Sequence, residues 1–215
     1  DLGDATARGV LYRLLYASRL TLEEIALQLP EGAAPVSLLA TEEPSRCPSA
    51  TINGVKIHSG DLLVTRGNAS TSALIARASD YPGGFSHVAL AHVSEAGEVT
   101  VIESLIESGV VYTNGDEWLD DPKLRVLVLR PRSDLPALVQ DPLLPHKAAS
   151  ASLAEAKRRH IPYDFAMNHA EPSKQFCAEV VSHAYSQFGV DLWRGITSMS
   201  GRGAVTWLAS FGVEN

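Results

Sequence analysis

Two cysteines in 215 residues, at positions 47 and 177, are too few and too far apart for the disulfide framework that staples small secreted domains. One bridge stays open, but two free thiols is the simpler expectation. No apolar run approaches the roughly 20 residues that span a bilayer, and the longest candidate, VSLLA at 36–40, is far too short. No integral membrane segment is therefore expected in the chain as given. Basic charge is scarce too: 18 Lys and Arg against 25 Asp and Glu leave a formal net charge of -7, with no Lys/Arg stripe to track a phosphate backbone. Nucleic acid is not an expected partner. There is no internal repeat and no low-complexity tract. No basic segment leads into an apolar one at the N-terminus, so an export signal has been removed or was never there.

What the chain does contain is 45% hydrophobic residues, enough for a sizeable core in one main domain. The stretch ATARGVLYRLLYASRL sets Val10, Leu11, Leu14, Leu15 and Leu20 close to one helical face. TLEEIALQLP follows, where Thr21 and Glu24 spell a T-x-x-E capping box and Pro30 closes a short second helix. Residues 31–50, rich in Pro, Ala, Ser and Glu without a period, read as a loop. A helical extension over 1–50 thus precedes a main domain over 51–215. From residue 51 strands dominate: TINGVKI carries Asn53-Gly54, suited to a type I′ turn, and GDLLVTR, FSHVALAHV, EVTVIESL, GVVYT and KLRVLVLRP follow. Helices are expected at 71–79, 147–160 and 175–188, with a last short one closed by Gly212. This is an α+β pattern, a mostly antiparallel sheet followed by helices.

Cys177, in QFCAEVVSHAY, falls near the start of the 175–188 helix, where free N–H groups and the positive end of the dipole favour a thiolate. A cysteine that merely fills space in the core is the commoner case, so a base has to be found elsewhere. Seven histidines compete. In FSHVALAHV, His87 alternates with Phe85, Ala89 and Ala91 on one face, and His92 shares the other with Val88 and Leu90. If Glu95, Ala96 and Gly97 form a three-residue loop, Ser94 pairs with Glu98, Ala89 lies opposite Glu103, and His87 is diagonal to that carboxylate on the same face. A two-residue Ala96-Gly97 turn would make Ser104 the neighbour instead.

A glutamate buried in VTVIESL needs a partner, and a histidine held by it has its orientation fixed for proton transfer. A solvated Glu103 and a hydrogen-bonded core His87 are the plain alternatives. Jointly, Cys177, His87 and Glu103 match a thiol nucleophile, its base and an orienting group. A metal site is the weaker account: the histidines lack H-x-x-x-H spacing, and one Cys with one His leaves the ligand shell short. No metal or other cofactor is expected. His183, six residues past Cys177 on another helix face, is set aside.

The order GDLLVTRG, FSHVALAHV, VIESLIESGVV, YDF and FCAEVVSHAY resembles the circularly permuted NlpC-type papain-like hydrolases of the YiiX sort, relatives of the lecithin-retinol acyltransferase group. The likeness covers about residues 55–190. It implies a permuted papain-like fold in which the helix carrying the nucleophile follows the antiparallel sheet carrying the base. It implies Cys177 as nucleophile, His87 as base and Glu103 as orienting acid. Tyr163 and Asp164 match the YD that precedes the cysteine helix and would line the site; Asp61 would serve a turn or strand start, and Glu179 of C-x-E a structural role. Residues 1–30 and the tail after 193 have no counterpart in the family. Compartment is not legible from the residues; the resemblance points to the bacterial cell envelope.

The expected reaction is attack of the Cys177 thiolate on an acyl carbon and resolution of the resulting thioester, with His87 moving the proton. The Cys177 N–H would be one oxyanion donor, with Gln175 and Tyr163 as candidates for the second. Peptide or amide bonds, as in cell-wall peptides, are the leading substrate. Lipid or acyl esters, with hydrolysis or transfer, are the alternative, for which Phe85, Phe165, Phe176, Trp193 and Trp207 offer an apolar groove, although such aromatics more often serve packing. The reading from another class is a binding module that kept the fold and lost activity, against which the intact Cys, His and Glu speak.

Overall fold

Asn53 and Gly54 take φ of 48° and 77°, both left-handed as a type I′ turn requires, and join β1 (Ser49–Ile52) to β2 (Val55–His58) with Ile52 opposite Val55. The computed structural model describes residues 3–26, 28–30, 33, 42–77, 84–192, 202–210 and 212. Five further strands, β3 (Leu62–Gly67), β4 (His87–Val93), β5 (Val99–Leu105), β6 (Gly109–Asn114) and β7 (Lys123–Leu129), form a sheet in the order β6-β5-β4-β3-β7. Every neighbouring pair is antiparallel. The α+β class and the predicted strands agree with this architecture.

The β4–β5 connection decides the register that matters most. Gly97 has φ of 82°, its N–H donates to Ser94 O at 2.9 Å, and the Ser94 N–H donates to Glu98 O at 2.9 Å. The loop is therefore the three-residue one, and the ladder runs Val93 opposite Val99 to Leu90 opposite Ile102. One more step sets Ala89 against Glu103, with His87 on the same face.

Alternation sorts the sheet's side chains into two cores. Leu90 and Ile102 face α5 (Leu144–Arg158) and α6 (Cys177–Ser186), where they meet Ala148, Val180, Val181, Ala184 and Tyr185. Ala89, Ala91 and Val101 face the other way, toward Ile57 of β2 and Trp118 of α3 (Gly115–Asp120). Each large apolar side chain enclosed this way contributes about 1.5–3 kcal/mol. The α6 helix thus packs on one face of the sheet while His87 belongs to the other. They meet because Cys177 is the first residue of α6 and His87 the first of β4.

Three helices depart from expectation. The predicted break at Thr21 is absent: α1 is one helix, Ala5–Ala26, capped by Asp4, whose carboxylate accepts from the Thr6 and Ala7 N–H groups at 3.1 Å each. Thr21 Oγ1 donates to Ala17 O at 2.9 Å instead of capping anything. That back-bond satisfies the hydroxyl inside the helix, and no Gly or Pro stands there to stop it. The α5 helix begins at Leu144, three residues earlier than predicted, with Pro145 tolerated in its first turn. The α6 helix begins at Cys177 itself rather than at 175. Of the remaining helices, α2 (Ser70–Arg77) and α7 (Arg202–Ala209) were expected, while α3 and α4 (Pro136–Gln140) are too short for a periodic signal.

Candidate active site

Glu103 is buried within β5, and its Oε2 stands 2.7 Å from His87 Nε2. The Cys177 thiol lies close enough to the same ring to raise its proton affinity, and Nδ1 is the ring nitrogen left for it. The imidazole is thus held between a carboxylate and a sulfur. Burial alone would lower its proton affinity, but the bonds and charges of Cys177 and Glu103 outweigh burial and raise the pKa to about 9. At neutral pH the ring carries a proton facing the sulfur.

The first turn of α6 sets the position of that sulfur. Phe176 is the N-cap, with extended backbone, and its N–H donates to Glu179 Oε2 at 2.9 Å. Phenylalanine has no acceptor of its own, so only this arm of a capping box is made. Cys177 follows as the first helical residue, half-buried, with an N–H that has no partner within the helix. Two tethers fix the approach. Gln175 donates its N–H to Pro162 O at 3.0 Å, and its carbonyl accepts from Ser104 Oγ at 2.6 Å. Ser104 is thus a positioning residue that sequence reasoning gave no role; the one available signal was a hydroxyl at a strand end on the face opposite Glu103.

The segment before the helix is held against β6. Val110 donates its N–H to Ile161 O at 2.8 Å, and Gly109, at φ of 69°, lies so close that an added Cβ would stand 2.1 Å from the same oxygen. Only glycine allows this approach. It brings Tyr163 into the electrostatic field of Cys177: burial first, and then the negative charges of Cys177 and Asp164, push its hydroxyl well above the ordinary tyrosine range. Tyr163 therefore keeps its proton. Its ring packs on Phe165 with centroids 5.0 Å apart.

The other predicted residues divide. Asp164 is buried, but both of its oxygens are engaged, with the Ala166 N–H at 3.0 Å and the Asn168 N–H at 2.6 Å, so it shapes the following turn. Asp61 does hold a strand start: it accepts the His58 N–H at 2.8 Å and two bonds from Arg130 at 2.8 Å each, tying the entry of β3 to the end of β7. Phe176 packs edge-on against His169, and Phe85 lies under the Arg19 guanidinium. Trp193 falls outside the described residues. His92 sits on the helix side of the sheet, 3.2 Å from Ser150 Oγ. Both cysteines are free.

A crystal structure described as metalloprotein yiiX from Escherichia coli shares this fold, with a TM-score of 0.54 and 22% identity, covering 70% of this chain and 81% of that one. Among curated proteins none matches the chain. The family model of the permuted papain-like amidase enzymes, YaeF/YiiX, matches residues 56–197, from β2 through the whole of α6. With well over half of its length so matched, the chain belongs to the permuted papain-like amidases of the YaeF/YiiX family and is a papain-like cysteine hydrolase.

Proposed function

We propose that Cys177 is the nucleophile, His87 its base and Glu103 the group that orients and charges the base. The observation that carries this is the single imidazole hydrogen-bonded to the buried Glu103 at 2.7 Å and close enough to the Cys177 thiol for the sulfur to raise its proton affinity. The imidazolium and the helix N-terminus both place positive potential at the sulfur, the setting that stabilises a thiolate. The thiolate attacks the acyl carbon, and charge builds on the carbonyl oxygen. The Cys177 N–H, at the helix start, is one donor; the Tyr163 hydroxyl, which keeps its proton, is a second, and the Gln175 side-chain amide, on a backbone fixed by Ser104 and Pro162, is the other candidate. His87 then gives its proton to the departing amine, leaving a thioester. It next takes a proton from the attacking water, and cleavage of the thioester releases the acid and restores the thiolate beside the protonated ring.

The substrate we propose is a peptide or amide bond, such as those of cell-wall peptides. A lipid or acyl ester is the alternative, and incubating one preparation with muropeptides and with phospholipids decides between them: release from lipid alone would reverse the order. We also propose that residues 1–50 are an extension ahead of a catalytic domain at 51–215. The Escherichia coli neighbour is described as a metalloprotein. Among the described residues of this chain no three His, Cys, Asp or Glu side chains stand together in a group that could hold a metal ion. The donor set does not fit one. A thiol-directed probe tests the mechanism against the binding-module reading: Cys177 is expected to react faster than Cys47, and His87→Ala to remove the difference. Equal rates in the wild type would end the nucleophile assignment.

A further inference from the structure

The apolar face of α1 points outward. Val10, Leu11, Leu14, Leu15, Leu22 and Ile25 are all exposed, Leu14 by 61% and Leu22 by 65%. At 3.6 residues per turn they occupy one arc of about 140° along the helix. No residue of α1 with a described side chain is buried; Leu20 and Glu24, on the other side, are half-buried. The helix holds to the rest of the chain through Glu24, 2.7 Å from Arg77, and through Arg19, whose guanidinium lies 5.8 Å from the centre of the Phe85 ring. Six large side chains are thus left facing water, a patch of the kind that marks an interaction surface.

Charge indicates what covers it. Helix α1 contains Arg8, Arg13 and Arg19 and, in its last turn, Glu23 and the Arg77-paired Glu24, while the rest of the chain carries 15 basic and 23 acidic residues. By helical geometry Arg8 and Arg19 border the apolar arc on one side and Arg13 stands beyond the other. An apolar stripe between arginines, on an otherwise acidic protein, is complementary to the headgroups and acyl chains of an anionic bilayer surface. The stems of Arg8 and Arg13 lie along the acyl boundary while their guanidinium groups reach phosphate, and Arg19 adds its charge from beside Phe85. A second copy of the helix suits this face less well, because its arginines would meet like charge. Among the described residues no helix is long and apolar enough to cross a membrane.

We infer that α1 is an interfacial helix that docks this protein on anionic lipid surfaces through Val10, Leu11, Leu14, Leu15, Leu22 and Ile25. Docking would hold the helix flat on the bilayer, with its Arg19–Phe85 contact two residues from His87 and so next to the active site. The test is cosedimentation of the whole chain with vesicles of phosphatidylcholine and phosphatidylglycerol in equal parts, and with phosphatidylcholine alone. Wild type is expected on the mixed vesicles, released by salt. It should partition onto neutral ones about a hundredfold less well, about fivefold for each arginine. Leu14→Glu with Leu22→Glu should abolish binding to both. Arg8→Gln with Arg13→Gln and Arg19→Gln should bring the mixed vesicles down to the neutral level. Leu14, Leu22, Arg8 and Arg13 are exposed and Arg19 is half-buried beside Phe85, and unchanged thermal melting shows that each variant has folded. Absence of wild-type binding, equal binding by the Leu14/Leu22 variant, or a dimer that this variant disrupts without any vesicle association would each overturn the inference.

Discussion

Cys47 and Cys177 each lie beside a histidine that is itself beside a carboxylate. At Cys47 the histidine is His58, whose Nδ1 stands 3.1 Å from the backbone carbonyl of the cysteine, and the carboxylate is Asp61, which accepts the backbone N–H of His58. The Cys47 sulfur donates to a carbonyl, Pro142 O, at 3.6 Å, and burial pushes its thiol up against the opposing effect of Ser45 and the His146 backbone. Burial also pushes His58 down, and the bond to the Cys47 carbonyl only partly offsets it. At Cys177 a thiol, an imidazole and a carboxylate act on one another through side chains, with the ring between Cys177 and Glu103, and the ring is pushed up. Composition of a cluster therefore says little; what makes a nucleophile is which atoms face the sulfur and whether the helix N-terminus adds to them.

The largest effect that would break this comparison is loss of the two thiols one at a time. Cys177→Ala is expected to lower kcat/KM by on the order of 10⁴-fold or more, since it removes the covalent step. Cys47→Ala should leave kcat/KM within about twofold and cost about 1–2 kcal/mol of stability as a small buried deletion. Turnover assays beside thermal melts check both. Similar losses of activity from the two variants at matched stability would mean that the arrangement at Cys177 has no special standing.

Glu103→Gln sharpens the comparison at the next level, because it keeps the shape behind His87 and removes the charge. We expect kcat/KM to fall by about 10–100-fold. The alkaline limb of the pH–rate profile, set in the wild type by His87 near its pKa of about 9, should move down. The sign for stability follows from the same shift. The folded pKa lies above the ordinary 6.5, so the stabilisation is complete below about pH 6.5 and is lost as pH rises through about 9. An alkaline limb that stays in place in the variant would remove Glu103 from its role.

The His87–Glu103 pair was legible in the sequence because its causes are local. Glu95, Ala96 and Gly97 set the loop, the loop sets the register, and a period of two then puts both side chains on one face. Cys177 at a helix start was legible to within two residues from the apolar period of α6. The tethers were not. Ser104 reaches Gln175 across 71 positions and Val110 reaches Ile161 across 51, so neither bond leaves a trace in nearby residues. Local signals also misled. Thr21 and Glu24 have the spacing of a cap, but the hydroxyl turned back into its own helix and the carboxylate went to Arg77. Asp164, expected to line the site, spends both oxygens on its own turn.

The smallest effect concerns the turn that presents the sulfur. Glu179 is buried on α6, and burial pushes its carboxyl up to about 7, with the negative charge of Asp164 adding to the shift and the Phe176 N–H opposing it. Its other oxygen, Oε1, has no hydrogen-bond partner among the described residues, although His169 Nδ1 stands 3.4 Å away. A carboxyl raised above its usual 4.5 favours the fold most when protonated. Stability from this group is therefore full below about pH 4.5 and declines as pH rises to about 7. Glu179→Gln keeps an acceptor for the Phe176 N–H and removes the titration, so its melting temperature should lose that decline. Glu179→Ala should lose the decline as well but lie about 1 kcal/mol below the Gln variant at every pH, as lost caps do. Melts across pH 4.5–8 separate the two, and a Gln variant with the wild-type pH dependence would show that the buried charge at Glu179 is not what the first turn of α6 bears.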